Sequence, residues 1–143
     1  LVPMGPGLVN LLPSLVQAYH AGSPVVAITS AVPNDMADMD AFEDIDAVTM
    51  VKPFTKWAAR CRCSDHVPKY IRLAFTHAMS GKKGPVLLEI PKDVQTTNCS
   101  TTKITPESFR PTGHLTGDME SIKQAVELLA NAERPIILAG SGV

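Results

Sequence analysis

Basic residues are missing from the first third of the chain. Residues 1–51 contain no Lys or Arg, although the whole 143-residue chain has 13 basic and 14 acidic residues and a net charge of −1. A chain without an excess of basic residues is poorly suited to bind nucleic acid or an anionic membrane. No apolar run approaches the ~20 residues that cross a bilayer, and residues 1–10 lack the basic start of a signal peptide. We therefore expect neither a nucleic acid nor a membrane as a partner.

The acids of this first third lie close together. They are Asp35, Asp38, Asp40, Glu43, Asp44 and Asp46. They give residues 1–51 a charge of −6 and leave residues 52–143 at +5. A calcium loop would need a Gly among alternating acids, and no Gly lies between Gly22 and Gly81. Because blocks of like charge are usually solvated, we predict an exposed acidic loop and no metal site, with a metal or a basic partner as the less favoured alternatives.

Cysteine is scarce, with only Cys61, Cys63 and Cys99. An odd number with a single Cys-x-Cys pair makes neither a disulfide framework nor a usual zinc site. Free thiols are the normal state in a reducing cytosol, so we expect a cytoplasmic protein. Alternate residues of a strand share a face, which places Cys61 and Cys63 together as packing residues.

Short apolar runs bounded by turn residues predict the strands. Residues 24–29 and 85–91 are nearly continuous apolar runs, which are typical of strands buried on both faces of a parallel sheet. Residues 54–61 predict a further strand. The alternation of these strands with helical segments indicates an α/β fold with a parallel sheet flanked by helices.

Two helices are expected, one before the first of these strands and one between the last two. The first begins at a cap on Asn10 and runs to about His20, with Pro13 in its first turn. The second begins at a cap on Asp65 and runs to about Met79 on a helical apolar stripe. Gly22 is expected to end the first helix.

The composition changes after the last of these strands. Residues 95–117 are rich in Thr, Ser and Pro and read as a linker. Asp118 then caps an amphipathic helix, and residues 136–139 predict a strand. We expect a domain at 1–94, a linker at 95–117 and the beginning of a second α/β domain at 118–143. Both ends cut across such units, which predicts a piece of a longer polypeptide or a remainder held in a separate chain.

Seven short runs of residues follow one another in a recognisable order. They are Gly5-Pro6-Gly7-x-x-Asn10, residues 23–29, Val32-Pro33, and residues 40–46, 52–56, 80–86 and 89–95. In this order they closely resemble the acetolactate synthase family of thiamine diphosphate-dependent enzymes. The resemblance implies that residues 1–94 are part of the pyrimidine-binding domain, a partial thiamine diphosphate-binding fold. Residues 135–142 resemble the opening strand of the central domain of that family.

The chemistry that the resemblance implies is the decarboxylation of a 2-keto acid and the transfer of the resulting two-carbon unit. Thiamine diphosphate accepts the electrons that decarboxylation releases, and in acetolactate synthases the acceptor is a second 2-keto acid. The implied enzyme is a transferase or lyase of branched-chain amino acid biosynthesis that uses Mg²⁺ and forms a homodimer or homotetramer. The activating glutamate of the family lies upstream of the Gly-Pro-Gly turn, so no catalytic residue is expected in this chain, which should be inactive alone.

The resemblance assigns the cofactor wall to the glycine turn. Gly5, Gly7 and Asn10 match the family turn beside the pyrimidine pocket, where a residue without a side chain lets the backbone approach a ligand. A plain strand-to-helix turn is the alternative.

Four further residues match positions of the substrate channel or the flavin site. Phe42, Glu43 and Lys56 match the channel, although Glu43 replaces a Gln and would repel an anionic 2-keto acid. Lys82 is a candidate flavin contact, but flavin-containing members carry Arg there, and Lys is not equivalent to Arg at a planar contact. FAD is therefore a doubtful cofactor.

Three alternatives stay open. Glu43 and Lys82 favour a 2-hydroxyacyl-CoA or oxalyl-CoA lyase, or another carboligase, within the same family. The absence of the activating glutamate favours a non-catalytic domain that needs a partner chain. A dinucleotide site at residues 139–142 is the weakest reading, since the third Gly and the later acid of that fingerprint are missing.

Overall fold

The fold is described from a computed structural model that covers residues 1–100, 105 and 116–140. The chain forms two compact units, Leu1–Pro111 and Thr112–Val143. The elements of the first unit are α1 (Pro6–Ala21), β1 (Val26–Ala31), α2 (Ala47–Val51), β2 (Trp57–Arg60), α3 (Val67–Met79), β3 (Val86–Pro91) and α4 (Lys92–Thr96). Single 3₁₀ turns lie at Asn34–Met36, Lys52–Phe54 and Ser64–His66.

The three strands form a parallel sheet in the order β1-β3-β2. Ala27, Leu87 and Ala58 stand side by side in the register and pack into one apolar cluster with residues of α1 and α2. The preceding residue of each strand points to the opposite face and packs against α3. The sheet therefore lies between α1 and α2 on one side and α3 on the other, and the predicted α/β class with a parallel sheet is confirmed.

Burial on both faces is found for β3 and not for β1. Val86, Leu87 and Leu88 of β3 are 0% exposed. In β1, buried and half-buried residues alternate, because successive side chains point to opposite faces of the sheet and only one of these faces is fully covered. One edge of β1 pairs with β3 in a full ladder. Its other side meets a single bridge, in which the Val2 N–H donates to the Ile28 carbonyl at 2.9 Å.

The N-terminal cap of helix α1 is Gly5 and not Asn10, so the predicted cap was wrong. Gly5 adopts φ 58° and ψ −119°, a conformation that glycine tolerates and other residues do not. Pro6 then occupies the first turn, where its missing N–H costs little. Pro13 consequently lies inside the helix. Gly22 ends α1 in the left-handed conformation, as predicted.

The predicted cap of α3 on Asp65 was also wrong. The Asp65 carboxylate accepts hydrogen bonds from the backbone N–H and the hydroxyl of Ser100, at 3.0 and 3.1 Å. These bonds lower the pKa of Asp65. The Ser64–His66 turn precedes α3, and His66 is the residue at its N-terminus.

Strand β2 is shorter than predicted and ends at Arg60. Cys61 is fully buried, and its N–H donates to the Glu89 carbonyl at 2.8 Å. Cys63 is exposed. The packing role is therefore confirmed for Cys61 and wrong for Cys63, because the chain leaves the strand before the two side chains can share a face.

Helix α4 follows β3 directly and crosses the predicted linker boundary at residue 94. The hydroxyl of Thr97 donates to the Asp93 carbonyl at 2.7 Å, which closes the end of this short helix. Most of the predicted linker, residues 101–104 and 106–115, lies outside the described residues.

The second unit contains α5 (Met119–Asn131). Asp118 caps it as predicted, since its carboxylate accepts from the Ser121 N–H and hydroxyl, both at 2.8 Å. The strand predicted at 136–139 is not formed, and Leu138 is 97% exposed. An apolar run becomes a strand only beside a neighbour that pairs with its backbone groups, and the described residues of this unit supply none.

Two further observations concern the described residues only. None of their helices is both long and apolar enough to cross a membrane. Residues 141–143, and with them half of the weak dinucleotide motif at 139–142, lie outside the described part of the chain.

Candidate functional site at the carboxyl edge of the sheet

The turn at Gly5 and the acidic loop meet near the carboxyl ends of the strands, where parallel sheets usually bind ligands. A Cβ built on Gly5 would lie 2.9 Å from the Glu43 Cβ and 3.2 Å from the Glu43 carbonyl oxygen. Real Cβ atoms do not come this close, so glycine is what allows the contact. The structure therefore brings together two residues, Gly5 and Glu43, that the sequence analysis had assigned to the cofactor wall and the substrate channel.

Gly7 and Asn10 are placed differently. A Cβ on Gly7 would overlap the ring of Pro3, so this glycine lets the chain preceding the turn pack against α1. Asn10 is an exposed residue of α1. The cofactor roles of both residues stay predictions.

The loop of residues 38–46, which we call the acidic loop, has an unusual backbone. Asp38, Asp40 and Glu43 have φ values of 63°, 51° and 63°, in the left-handed region that costs residues other than glycine about 1–2 kcal/mol each. Phe42 is 84% exposed. The acidic loop thus holds an exposed aromatic ring beside Glu43, in a conformation that needs support from its surroundings.

Helix α2 was not predicted and follows the acidic loop. Asp46 begins it by accepting a hydrogen bond from the Thr49 N–H at 3.1 Å. Hydrogen bonds with Thr49 are the main cause of the lowered pKa of Asp46. Capping by a carboxylate, which also suits the positive end of the helix dipole, fixes one end of the loop to the fold.

A buried ion pair at the same edge was missed by the sequence analysis. Arg60 of β2 donates from Nε to Glu89 Oε2 at 2.6 Å and from Nη2 to Oε1 at 3.2 Å. Glu89 is 2% exposed, and its hydrogen bond raises the pKa of Arg60. The two residues are register partners in adjacent strands. A Glu inside the most apolar run of the chain was the available signal, because a buried carboxylate requires a cation.

An open depression of about 730 Å³ lies beside this pair. Its polar lining combines five carboxylates with the guanidinium groups of Arg60 and Arg62. The carboxylates are those of Asp38, Asp40, Asp44, Asp46 and Glu89. The excess of negative charge disfavours anions in this depression. Among the described residues, no group of three or more His, Cys, Asp or Glu side chains is arranged to hold a metal ion.

Lys56 and Lys82 lie at the opposite, amino-terminal edge of the sheet. Lys56 Nζ donates to the carbonyl oxygens of His77, at 2.6 Å, and Ser80, and partial burial lowers the pKa of Lys56. Lys82 Nζ lies 6.0 Å from the centre of the Tyr19 ring. The structure therefore does not bring these two lysines together with Phe42 and Glu43.

The contacts of Lys56 predict a stabilising role at the C-terminus of α3. Replacing Lys56 by Met is expected to lower the free energy of unfolding by about 1–2 kcal/mol, because two bonds from a charged donor to helix-terminal carbonyls are lost. Urea denaturation of the chain, followed through the fluorescence of its single tryptophan, measures this change. Lys83→Met removes the same charge from an exposed turn residue and should stay within about 0.5 kcal/mol of the original chain. Equal losses in both variants would contradict the role of the two bonds.

Comparison with known proteins defines the class. The family model described as "Thiamine pyrophosphate enzyme, N-terminal TPP binding domain" matches residues 1–50, which contain the Gly5 turn, α1, β1 and the acidic loop. Together with the three-stranded parallel sheet, this match defines part of a thiamine diphosphate-binding domain.

Similar curated proteins cover nearly all of the chain. The probable acetolactate synthase large subunit of Methanocaldococcus jannaschii is 37% identical over 97% of this chain and 24% of its own length. The mitochondrial acetolactate synthase catalytic subunit of Saccharomyces cerevisiae is 34% identical over 100% of this chain and 22% of its own length. The acetolactate synthase isozyme 3 large subunit of Escherichia coli is 31% identical over 99% of this chain and 25% of its own length. The chain belongs to the acetolactate synthase-like family of thiamine diphosphate-dependent enzymes, and it spans about a quarter of the length of these relatives.

The described residues fit one wall of a thiamine diphosphate site and not a whole site. The Gly5 turn offers backbone without a side chain at the carboxyl edge. Glu89 is the one carboxylate among the buried residues that the structure describes, and both of its oxygens are bound to Arg60. It is therefore not available to exchange a proton with an aminopyrimidine ring.

Proposed function

We propose that the complete protein is a thiamine diphosphate-dependent 2-keto acid decarboxylase and carboligase of the acetolactate synthase type. The observation that carries this proposal is the 31–37% identity to proteins named acetolactate synthase over 97–100% of the chain. The substrate class is then a pair of 2-keto acids, with pyruvate as the first donor to test. The reaction makes the enzyme a transferase or lyase and places it in branched-chain amino acid biosynthesis.

In this proposal the described part of the chain forms a wall of the active site at the carboxyl edge. Gly5, Gly7 and Asn10 form the cofactor side, and Phe42 and Glu43 line the substrate side. The contact between Gly5 and Glu43 supports a single continuous wall, which excludes water from one side of the reacting groups. Lys56 and Lys82 are excluded from this wall because they lie at the other edge of the sheet.

The remaining features of the proposed enzyme follow from the family. We propose Mg²⁺ as the ion that accompanies the cofactor diphosphate, and a homodimer or homotetramer as the assembly. We further propose that residues 1–94 belong to the pyrimidine-binding domain, 95–117 to a linker and 118–143 to the central domain. The thiols of Cys61 and Cys63, which form no disulfide, support a reducing, cytoplasmic location. FAD receives no support from Lys82, which lies over Tyr19.

The test is a substrate panel on the complete protein with thiamine diphosphate and Mg²⁺. Pyruvate is expected to release CO₂ and to yield acetolactate, measured as acetoin after acid treatment, with no product when thiamine diphosphate is omitted. Turnover of oxalyl-CoA or a 2-hydroxyacyl-CoA without turnover of pyruvate would overturn the proposal in favour of a lyase. The carboxylate of Glu43, which would repel an anionic 2-keto acid, favours a substrate whose reacting end is neutral, such as a 2-hydroxyacyl-CoA. Binding of thiamine diphosphate without turnover of any of these substrates would favour a non-catalytic domain.

A further inference from the structure

The acidic loop contains three strained residues within six positions, so something must hold it in shape. Asp38, Asp40 and Glu43 all have positive φ values, and such residues persist where neighbouring contacts determine the backbone. Glu43 is held by its packing against Gly5. The contacts on the other side of the loop converge on Asp44.

Asp44 connects the inside of the loop to the sheet through its two carboxylate oxygens. Oδ2 accepts a hydrogen bond from the Asp38 N–H at 3.2 Å, which closes the loop on itself. Oδ1 lies 3.9 Å from Arg60 Nη2, and both side chains are 15% exposed. The backbone N–H of Asp44 also donates to the Ala41 carbonyl at 3.0 Å. Asp44 therefore connects the charged side chain of Arg60 in β2 to the strained backbone of the acidic loop.

Arg60 is itself fixed by the buried carboxylate of Glu89. The two parallel bonds from the guanidinium group to Glu89 determine its direction as well as its position. The same guanidinium group also faces the carboxylate of Asp44, and it has N–H groups left that can donate to that carboxylate. A lysine could not make this arrangement, because its single ammonium group lacks the planar fork.

We propose that Arg60, held by Glu89, is a positioning residue that fixes the acidic loop through Asp44 and thereby places Phe42 and Glu43 in the substrate wall. Only the assignment of Phe42 and Glu43 to a substrate wall rests on the proposed function; the positioning of the loop by Arg60 does not. The chain of contacts runs from β3 through Arg60 to the loop, and every link joins residues that lie far apart in the sequence. A loop fixed in this way binds a substrate without first losing its own conformational freedom.

The test uses the complete protein and the variant Asp44→Asn. Asparagine keeps an acceptor for the Asp38 N–H and removes the charge that faces Arg60, while the buried pair of Arg60 and Glu89 stays intact. Amide hydrogen exchange is measured for residues 37–46 and for β3 without substrate. The protection of the loop is expected to fall about threefold to tenfold, the range of a partly buried ion pair, with β3 unchanged. KM for the 2-keto acid is expected to rise by a similar factor, with kcat within about twofold.

The matched control is Asp40→Asn, which removes the same charge from the same loop without touching the contact between Asp44 and Arg60. Its loop protection is expected to stay within about twofold of the original protein. An equal fall in both variants, or no fall in Asp44→Asn, overturns the positioning role. A second variant, Arg60→Lys, is expected to loosen the loop as well, and full protection in that variant would also overturn it. Loss of loop protection in a protein that turns over no 2-keto acid would instead support the positioning role and refute the proposed function.

Discussion

Replacement of Arg60 by Met is expected to lower the free energy of unfolding of the first unit by about 3–5 kcal/mol. Glu89 is 2% exposed, and Arg60 supplies hydrogen bonds to both of its oxygens. Without the guanidinium group, the carboxylate on the central strand β3 of the described sheet loses the cation that binds both of its oxygens. Urea denaturation followed by the fluorescence of Trp57, which lies in β2 and stacks on His77 at 5.6 Å, measures the loss.

The double variant Arg60→Met with Glu89→Leu separates the loss of the pair from the cost of the stranded charge. Apolar residues of similar size in place of both partners often leave a protein as stable as before. We therefore expect the double variant to regain most of the lost stability. A loss of less than about 1 kcal/mol in Arg60→Met alone would mean that Glu89 reaches solvent, contrary to the arrangement described here.

Local patterns in the sequence were enough to predict the architecture. Strand β3 could be predicted from its own residues alone, since strands buried on both faces form nearly continuous apolar runs. Gly22 and Asp118 act on backbone groups within a few residues of themselves, and both predictions were confirmed. The strand predicted at 136–139 was wrong, because a strand also needs a partner strand, which its own residues do not encode.

The features of the candidate site were harder to predict because they depend on contacts between distant residues. Asp65 is of a residue type that commonly caps helices, yet its carboxylate binds Ser100, 35 positions away. Arg60 and Glu89 are 29 positions apart, and only the strand order makes them neighbours. The contact between Gly5 and Glu43 likewise joins two parts of the chain that only the fold brings together. Propensity rules describe the chain near each residue, so they miss pairs that the topology creates.

Replacement of Gly5 by Ala is expected to lower the free energy of unfolding by about 2–6 kcal/mol. A side chain at φ 58° and ψ −119° costs about 1–3 kcal/mol, and forcing a methyl group into a packed contact costs about 1–3 kcal/mol. The methyl group would lie 2.9 Å from the Glu43 Cβ and 3.2 Å from the Glu43 carbonyl oxygen, and the backbone atom cannot move without moving the acidic loop. The same denaturation measurement applies, and activity of the complete protein should fall with the displacement of Glu43.

Gly81 provides the control that separates backbone strain from crowding. Its φ is also 58°, but a Cβ built there meets nothing within 4 Å. Gly81→Ala is therefore expected to cost only the conformational part, about 1–3 kcal/mol, and to leave the loop undisturbed. The difference between the two variants measures how tightly the Gly5 turn and Glu43 are packed. If both variants lose the same stability, the close approach at Gly5 is not what holds the acidic loop against the turn, and the continuous wall proposed for the active site loses its main support.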